Sequence, residues 1–126
     1  MIMVVWVAMG GALGAAARYL TAAGVSRLPA TGFPWSTLVV NVAGSFLTGA
    51  FIEAVALKYS VSQEVRAFLT TGFLGGFTTF SAFALDFALL IERERGLAAM
   101  AYLTASVMLA IIALFAGLWL IRAIVS

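Results

Sequence analysis

The chain has 126 residues, of which 64% are hydrophobic and only 10% are charged, with a net charge of +2. Average soluble domains carry about a quarter charged residues, and a domain this small exposes too much surface to leave it apolar, so a water-soluble fold is excluded. The absence of cysteine and histidine excludes disulfides, thiol catalysis and thiolate or imidazole metal sites, and a surplus of two basic residues makes no nucleic-acid patch.

The charges gather in short clusters: Lys58, then Glu64 and Arg66, then Glu92 to Arg95, then Arg122. Between them lie four apolar stretches, at 3–24, 35–57, 67–91 and 97–121. Each matches the roughly 20 helical residues that cross a bilayer core. Spanning strands would be about half as long and would alternate. The sequence therefore predicts an all-α membrane protein of four helices in a single transmembrane domain.

The first stretch has no basic n-region, and its one charge, Arg18, lies towards its far end. It is expected to be a retained span rather than a cleaved signal peptide. Gly10 and Gly14 form a G-x-x-x-G pair, which puts two small residues on one face and lets another helix approach. Arg18 either snorkels to the headgroups or stands as a fixed positive charge in a vestibule that attracts anions. In the second stretch Asn41 is followed by Gly44, Ser45, Thr48 and Gly49. A buried amide in lipid faces protein or water, so Asn41 either bonds a neighbouring helix or donates into an ion path. Glu53 lies near the helix end, where solvation is expected.

The third stretch runs Leu69-Thr70-Thr71-Gly72-Phe73-Leu74-Gly75-Gly76-Phe77-Thr78-Thr79-Phe80-Ser81-Ala82-Phe83. Three glycines beside paired threonines weaken a helix at mid-span. Two structures remain open: an unbroken helix with a glycine-lined packing face, or a local unwinding. Irregular backbone at this depth must be buried in protein or line a cavity. Its freed carbonyls suit a hard cation such as Na⁺, and the new half-helix N-terminus favours anions. Phe80 and Phe83 share a helix face, with Thr79 and Ser81 beside them. They either pack, or present positive ring edges that hold an anion. Asp86 caps a vestibule or pairs with an arginine. The fourth stretch carries Thr104 and Ser106 and then runs apolar to Trp119 and Arg122. Tyr102 and Trp119 are expected to anchor it at the two interfaces.

Lysine and arginine near helix ends set orientation. Four spans place Lys58, Arg66 and Arg122 on one side and Arg27, Arg93 and Arg95 on the other, with Arg18 countable there. The bias is nearly absent. Either one orientation still wins, or the chain inserts both ways and pairs antiparallel. Four short helices hardly enclose a path, so transport would call for an oligomer, of which two-fold dimers are the commonest.

Gly72-Phe73-Leu74-Gly75-Gly76-Phe77-Thr78-Thr79-Phe80-Ser81-Ala82-Phe83 resembles the G-x-x-G-G-x-S/T-T-F-S-S/T-F signature of the bacterial fluoride channels, the Fluc/CrcB family. Pro34-Trp35-Ser36-Thr37-Leu38-Val39-Val40-Asn41 resembles that family's P-x-G-T-L-x-V-N segment. Gly10-Gly11-x-x-Gly14-x-x-x-Arg18 is similar to its first helix. The resemblance covers nearly the whole chain. It implies an antiparallel dual-topology homodimer in the inner membrane, with helix three broken near its middle and two fluoride pores. It also implies one central, structural Na⁺ held by the main-chain carbonyls of Gly75 and Thr78. Asn41, Phe80 and Phe83 would line the pores, with Ser81 and Thr79 close by. Ser36 and Ala82 depart from the pattern, Asp86 replaces a frequent glutamate, and Ala110, Ala113 and Leu114 stand where the family usually has hydroxyls. The expected function is passive export of cytoplasmic fluoride, protecting the cell. A small drug/proton antiporter needs a carboxylate in its first helix, and this one has none. A non-transporting packing subunit would keep an unbroken third helix. No nucleophile–base set suggests an enzyme.

Overall fold

The structure, a computed structural model, describes residues 2–27 and 32–125. All regular elements among the described residues are helical. Helix α1 spans Ile2–Val25 and α2 spans Trp35–Leu57, starting directly after Pro34. The third rod is composite. It comprises α3 (Gln63–Ala67), a π-helical segment (Phe68–Leu74), α4 (Gly75–Phe77) and α5 (Phe80–Glu92). Helix α6 spans Gly96–Val125. Four rods, Ile2–Val25, Trp35–Leu57, Gln63–Glu92 and Gly96–Val125, are long and apolar enough to cross a membrane.

Two boundaries differ from the sequence-based expectation by more than one residue. The third rod begins at Gln63 rather than 67, because Ser62 accepts a hydrogen bond from the Val65 amide at 3.2 Å and caps it there. The fourth continues to Val125 rather than 121. Its Arg122 donates Nε to Glu53 Oε2 at 2.6 Å, which ties the ends of α6 and α2 together. Glu53 is thus only 8% exposed, not solvated as its position near the helix end suggested.

Lipid tails are as apolar as leucine, so helices in a membrane associate through close packing rather than a hydrophobic drive. Two glycine seams provide it. Helix α1 lies on the first half of the third rod, and α2 lies along α6. A β-carbon on Gly72 would sit 2.9 Å from the Val7 carbonyl, and one on Gly76 would sit 2.7 Å from the Gly11 carbonyl. Between α2 and α6, one on Gly117 would fall 2.7 Å from the Ala50 amide. A buried cluster of Leu38, Phe83, Leu90, Ala99 and Tyr102 joins α2, α5 and α6. Tyr102 is fully buried, which corrects its expected interfacial place. Its hydroxyl donates to Asp86 Oδ2 at 3.1 Å, so burial leaves no unmet polar group there.

Helix α5 ends in a Schellman motif. The Arg95 amide reaches the Leu90 carbonyl at 2.9 Å, and the Glu94 amide reaches that of Ile91 at 3.0 Å. Glu94 takes the left-handed backbone this requires, with φ of 59°. Glycine adopts that conformation without the β-carbon clash. Glu94→Gly is expected to stabilise the protein by roughly 1 kcal/mol, read as a higher unfolding midpoint in detergent with transport unchanged.

Candidate functional site

The site is built where the third rod leaves helical geometry. Thr78 (φ −87°, ψ 158°) and Thr79 (φ −152°, ψ 122°) are both extended. Helix resumes at Phe80, capped by Thr79 Oγ1, which accepts from the Ala82 amide at 3.2 Å. The side chain of Asn41 lies against this turn. Its Nδ2 donates to the Thr79 carbonyl at 2.9 Å, and its Oδ1 accepts from the Thr79 amide at 2.7 Å. Both open readings of Asn41 therefore concern one atom set. One Nδ2 proton is used between helices, and the second remains for donation.

The carbonyls of Leu74, Gly75, Gly76 and Thr78 differ in what becomes of their helical donors. In a continuous helix each accepts from the amide four residues on. The Leu74 carbonyl keeps that partner, accepting from the Thr78 amide at 3.0 Å and from Thr78 Oγ1 at 2.9 Å. The amide that would close on Gly75, that of Thr79, goes to Asn41. Gly76 receives Arg18 Nε at 3.0 Å. The amide that would close on Thr78, that of Ala82, goes to Thr79 Oγ1.

A groove of about 450 Å³ opens beside the turn. Helix α2 supplies Asn41, Ser45 and Thr48, which share one face at helical spacing. Thr79, Phe80 and Phe83 line it from the third rod, and Ser106 followed by Ala110 and Leu114 forms the α6 wall. Sequence reading assigned no role to Ser45, Thr48 or Ser106, although the spacing from Asn41 marks the first two. Ser106 is 7% exposed, and its hydroxyl meets no partner among the described residues. The hydroxyl protons of Thr48 and Thr78 are donated to the Gly44 and Leu74 carbonyls. The α6 wall beyond Ser106 is apolar, as the substitutions at Ala110 and Leu114 foretold.

The phenylalanines have different settings. Their ring centroids are 5.6 Å apart. Phe83 is buried against Tyr102, with ring centroids 5.3 Å apart, whereas Phe80 is 81% exposed. Ser81 Oγ lies 3.4 Å from Thr79 Oγ1 on the exposed side. Arg18 is half-buried and donates its Nε to Gly76. Gly75 is exposed on the lone chain. The structure thus brings Asn41, Thr78, Thr79, Phe80 and Phe83 around one groove.

Four apolar rods, with non-helical backbone within the third beside a groove whose polar groups come mainly from α2 and the turn, define a small multi-pass helical membrane protein. The sequence profile of the family described as "CrcB-like protein, Camphor Resistance (CrcB)" matches residues 5–118, and the chain belongs to that family. A protein of Chelativorans sp. (strain BNC1), named "Fluoride-specific ion channel FluC", is 58% identical over 118 residues, covering 94% of each chain. A Rhizobium etli protein of the same name is 50% identical over 125 residues, covering 99% of this chain and all of its own. One from Rhodospirillum centenum is 52% identical over 124 residues, covering 98% of both.

Proposed function

We propose that this protein is a fluoride-selective channel that releases cytoplasmic fluoride passively across the bacterial inner membrane. The observation that carries the reading is the clamped turn at Thr78–Thr79, beside a groove that Phe80 and Phe83 help to line. The name shared by relatives about half identical along their whole length supports the choice of ion. Fluoride is small and strongly hydrated, so donors must replace its water. Among the residues that line the groove, the second Nδ2 proton of Asn41, the Ser106 hydroxyl, and the ring edges of Phe80 and Phe83 are the candidate donors in this reading. Ser81 and Thr79 contribute hydroxyl oxygens at the exposed end.

The exposed Phe80 and Gly75 leave the path without a second wall in a lone chain. A second copy supplies it in this reading. The nearly even distribution of lysine and arginine favours an antiparallel arrangement with two pores. The Gly75 and Thr78 carbonyls are the two whose helical donors are diverted to side chains. Hard carbonyl oxygens fit Na⁺, and no group of three or more acidic, cysteine or histidine side chains competes for a metal among the described residues. Those carbonyls from both subunits would hold the ion, which would neutralise the facing dipoles at the centre of the dimer. The helical break acts here as a joint between two fixed half-rods.

Passive permeation is tested by recording from planar bilayers that contain the purified protein. Under a fluoride gradient, current is expected to reverse at the fluoride equilibrium potential and to ignore an imposed proton gradient. A reversal potential that moves with the proton gradient would instead indicate coupled transport.

A further inference from the structure

We propose that Arg18 is a positioning residue whose Nε–H, rather than its charge, holds the carbonyl end of α4 and thereby sets the turn that follows. Arg18 donates Nε to the Gly76 carbonyl at 3.0 Å, across 58 residues of sequence. Three residues later, Asn41 grips both the amide and the carbonyl of Thr79. The two non-helical links therefore lie between one clamp from α1 and another from α2. Neither clamp comes from the third rod itself.

The placement is built in. Gly14, one turn before Arg18, lets α1 approach the third rod so closely that a β-carbon there would lie 3.0 Å from the Phe77 amide. That contact delivers the Arg18 side chain to the last carbonyls of α4, which a helix end leaves without amide partners. Gly76 directly follows Gly75, one of the two carbonyls whose helical donors are diverted, and precedes the other, Thr78, by two residues. A donor on Gly76 holds that peptide in helical orientation while its neighbours stay open.

Side-chain chemistry separates a role of the Nε–H from a role of the charge. Glutamine carries its Nε2 the same number of bonds from Cα as arginine carries Nε, so Arg18→Gln keeps a donor at that atom and loses the charge. Arg18→Lys keeps the charge but puts a carbon at that atom. Arg18→Met has similar length and neither property. The functional half of the test rests on the channel reading, so two readouts are taken on wild type and all three variants. They are fluoride release from liposomes and amide hydrogen exchange over 76–80.

Arg18→Gln is expected to stay within about threefold of wild type in both. Arg18→Met and Arg18→Lys are expected to lose fluoride release and exchange protection by about tenfold, the scale of one interhelical hydrogen bond in a membrane. If the Met variant does not fold, the comparison of Gln with Lys decides. Retention by Lys with loss by Gln would overturn the proposal in favour of a field effect. Uniform retention or uniform loss across the variants would overturn it as well. If wild type releases no fluoride, the channel reading fails, and hydrogen exchange alone still decides the role of Arg18.

Discussion

Asn41→Leu is expected to lower fluoride release by about tenfold or more, equivalent to roughly 1.4 kcal/mol on the barrier. Leucine is close to asparagine in size, so packing against the turn is largely retained while both hydrogen bonds to Thr79 are lost. Interhelical hydrogen bonds in membranes contribute about 0.6 to 1.7 kcal/mol each, which puts the stability cost at roughly 1–3 kcal/mol. The functional loss has a second source. Once released from Asn41, the Thr79 amide is free to close on the Gly75 carbonyl, as a continuous helix would. That closure would remove a carbonyl from the proposed Na⁺ site and turn Phe80 away from the groove. The remaining groove-facing amide proton disappears too. Asn41→Asp separates these effects, since it keeps an acceptor for the Thr79 amide but lacks the donor and adds a charge that repels anions. It is expected to retain the fold better than Asn41→Leu and to conduct no better. Fluoride release and thermal unfolding of the same preparations check both statements.

Gly14→Leu is expected to be strongly damaging to the fold. A β-carbon at Gly14 would run into the Phe73 carbonyl and come within 3.0 Å of the Phe77 amide. These are backbone atoms, which cannot swing aside as a flexible side chain can. Overpacking costs about 1–3 kcal/mol even in cores able to adjust, and here α1 must lift from the third rod along its length. Arg18 would be carried away from Gly76 with it. Gly24→Leu is the internal control, because nothing lies within 4 Å of a β-carbon there. Its effect is expected to stay within about 0.5 kcal/mol. The unfolding midpoints of the two variants in detergent, with size-exclusion profiles, give the comparison.

The four rods were legible because a bilayer leaves one kind of answer: long apolar runs between charges. Their composite interior was less so. Glycines and threonines in the third rod announced weakness but left open whether the helix breaks. The outcome depends on partners elsewhere in the sequence, namely Asn41 on α2 and Arg18 on α1. Asn41 could be named as important, yet its partner is a backbone peptide that no periodicity reveals. Tyr102 and Glu53 were misplaced for a common reason. Position near a helix end suggested an interface, while a single long-range partner, Asp86 or Arg122, makes burial tolerable. Ser45 and Thr48 were readable in principle from their spacing with Asn41. Ser106 was not, because its place in the groove depends on how α6 packs along α2.

The central claim is that fluoride passes the groove at the turn of the third rod. Fluoride release from liposomes, followed with an ion-selective electrode, tests it most directly when chloride-loaded vesicles and a Phe80→Met variant are run beside wild type. Rapid fluoride release by wild type, no chloride release, and a marked loss of fluoride release in the variant are expected. Wild-type release of both anions, or fluoride release that Phe80→Met leaves unchanged, would contradict it.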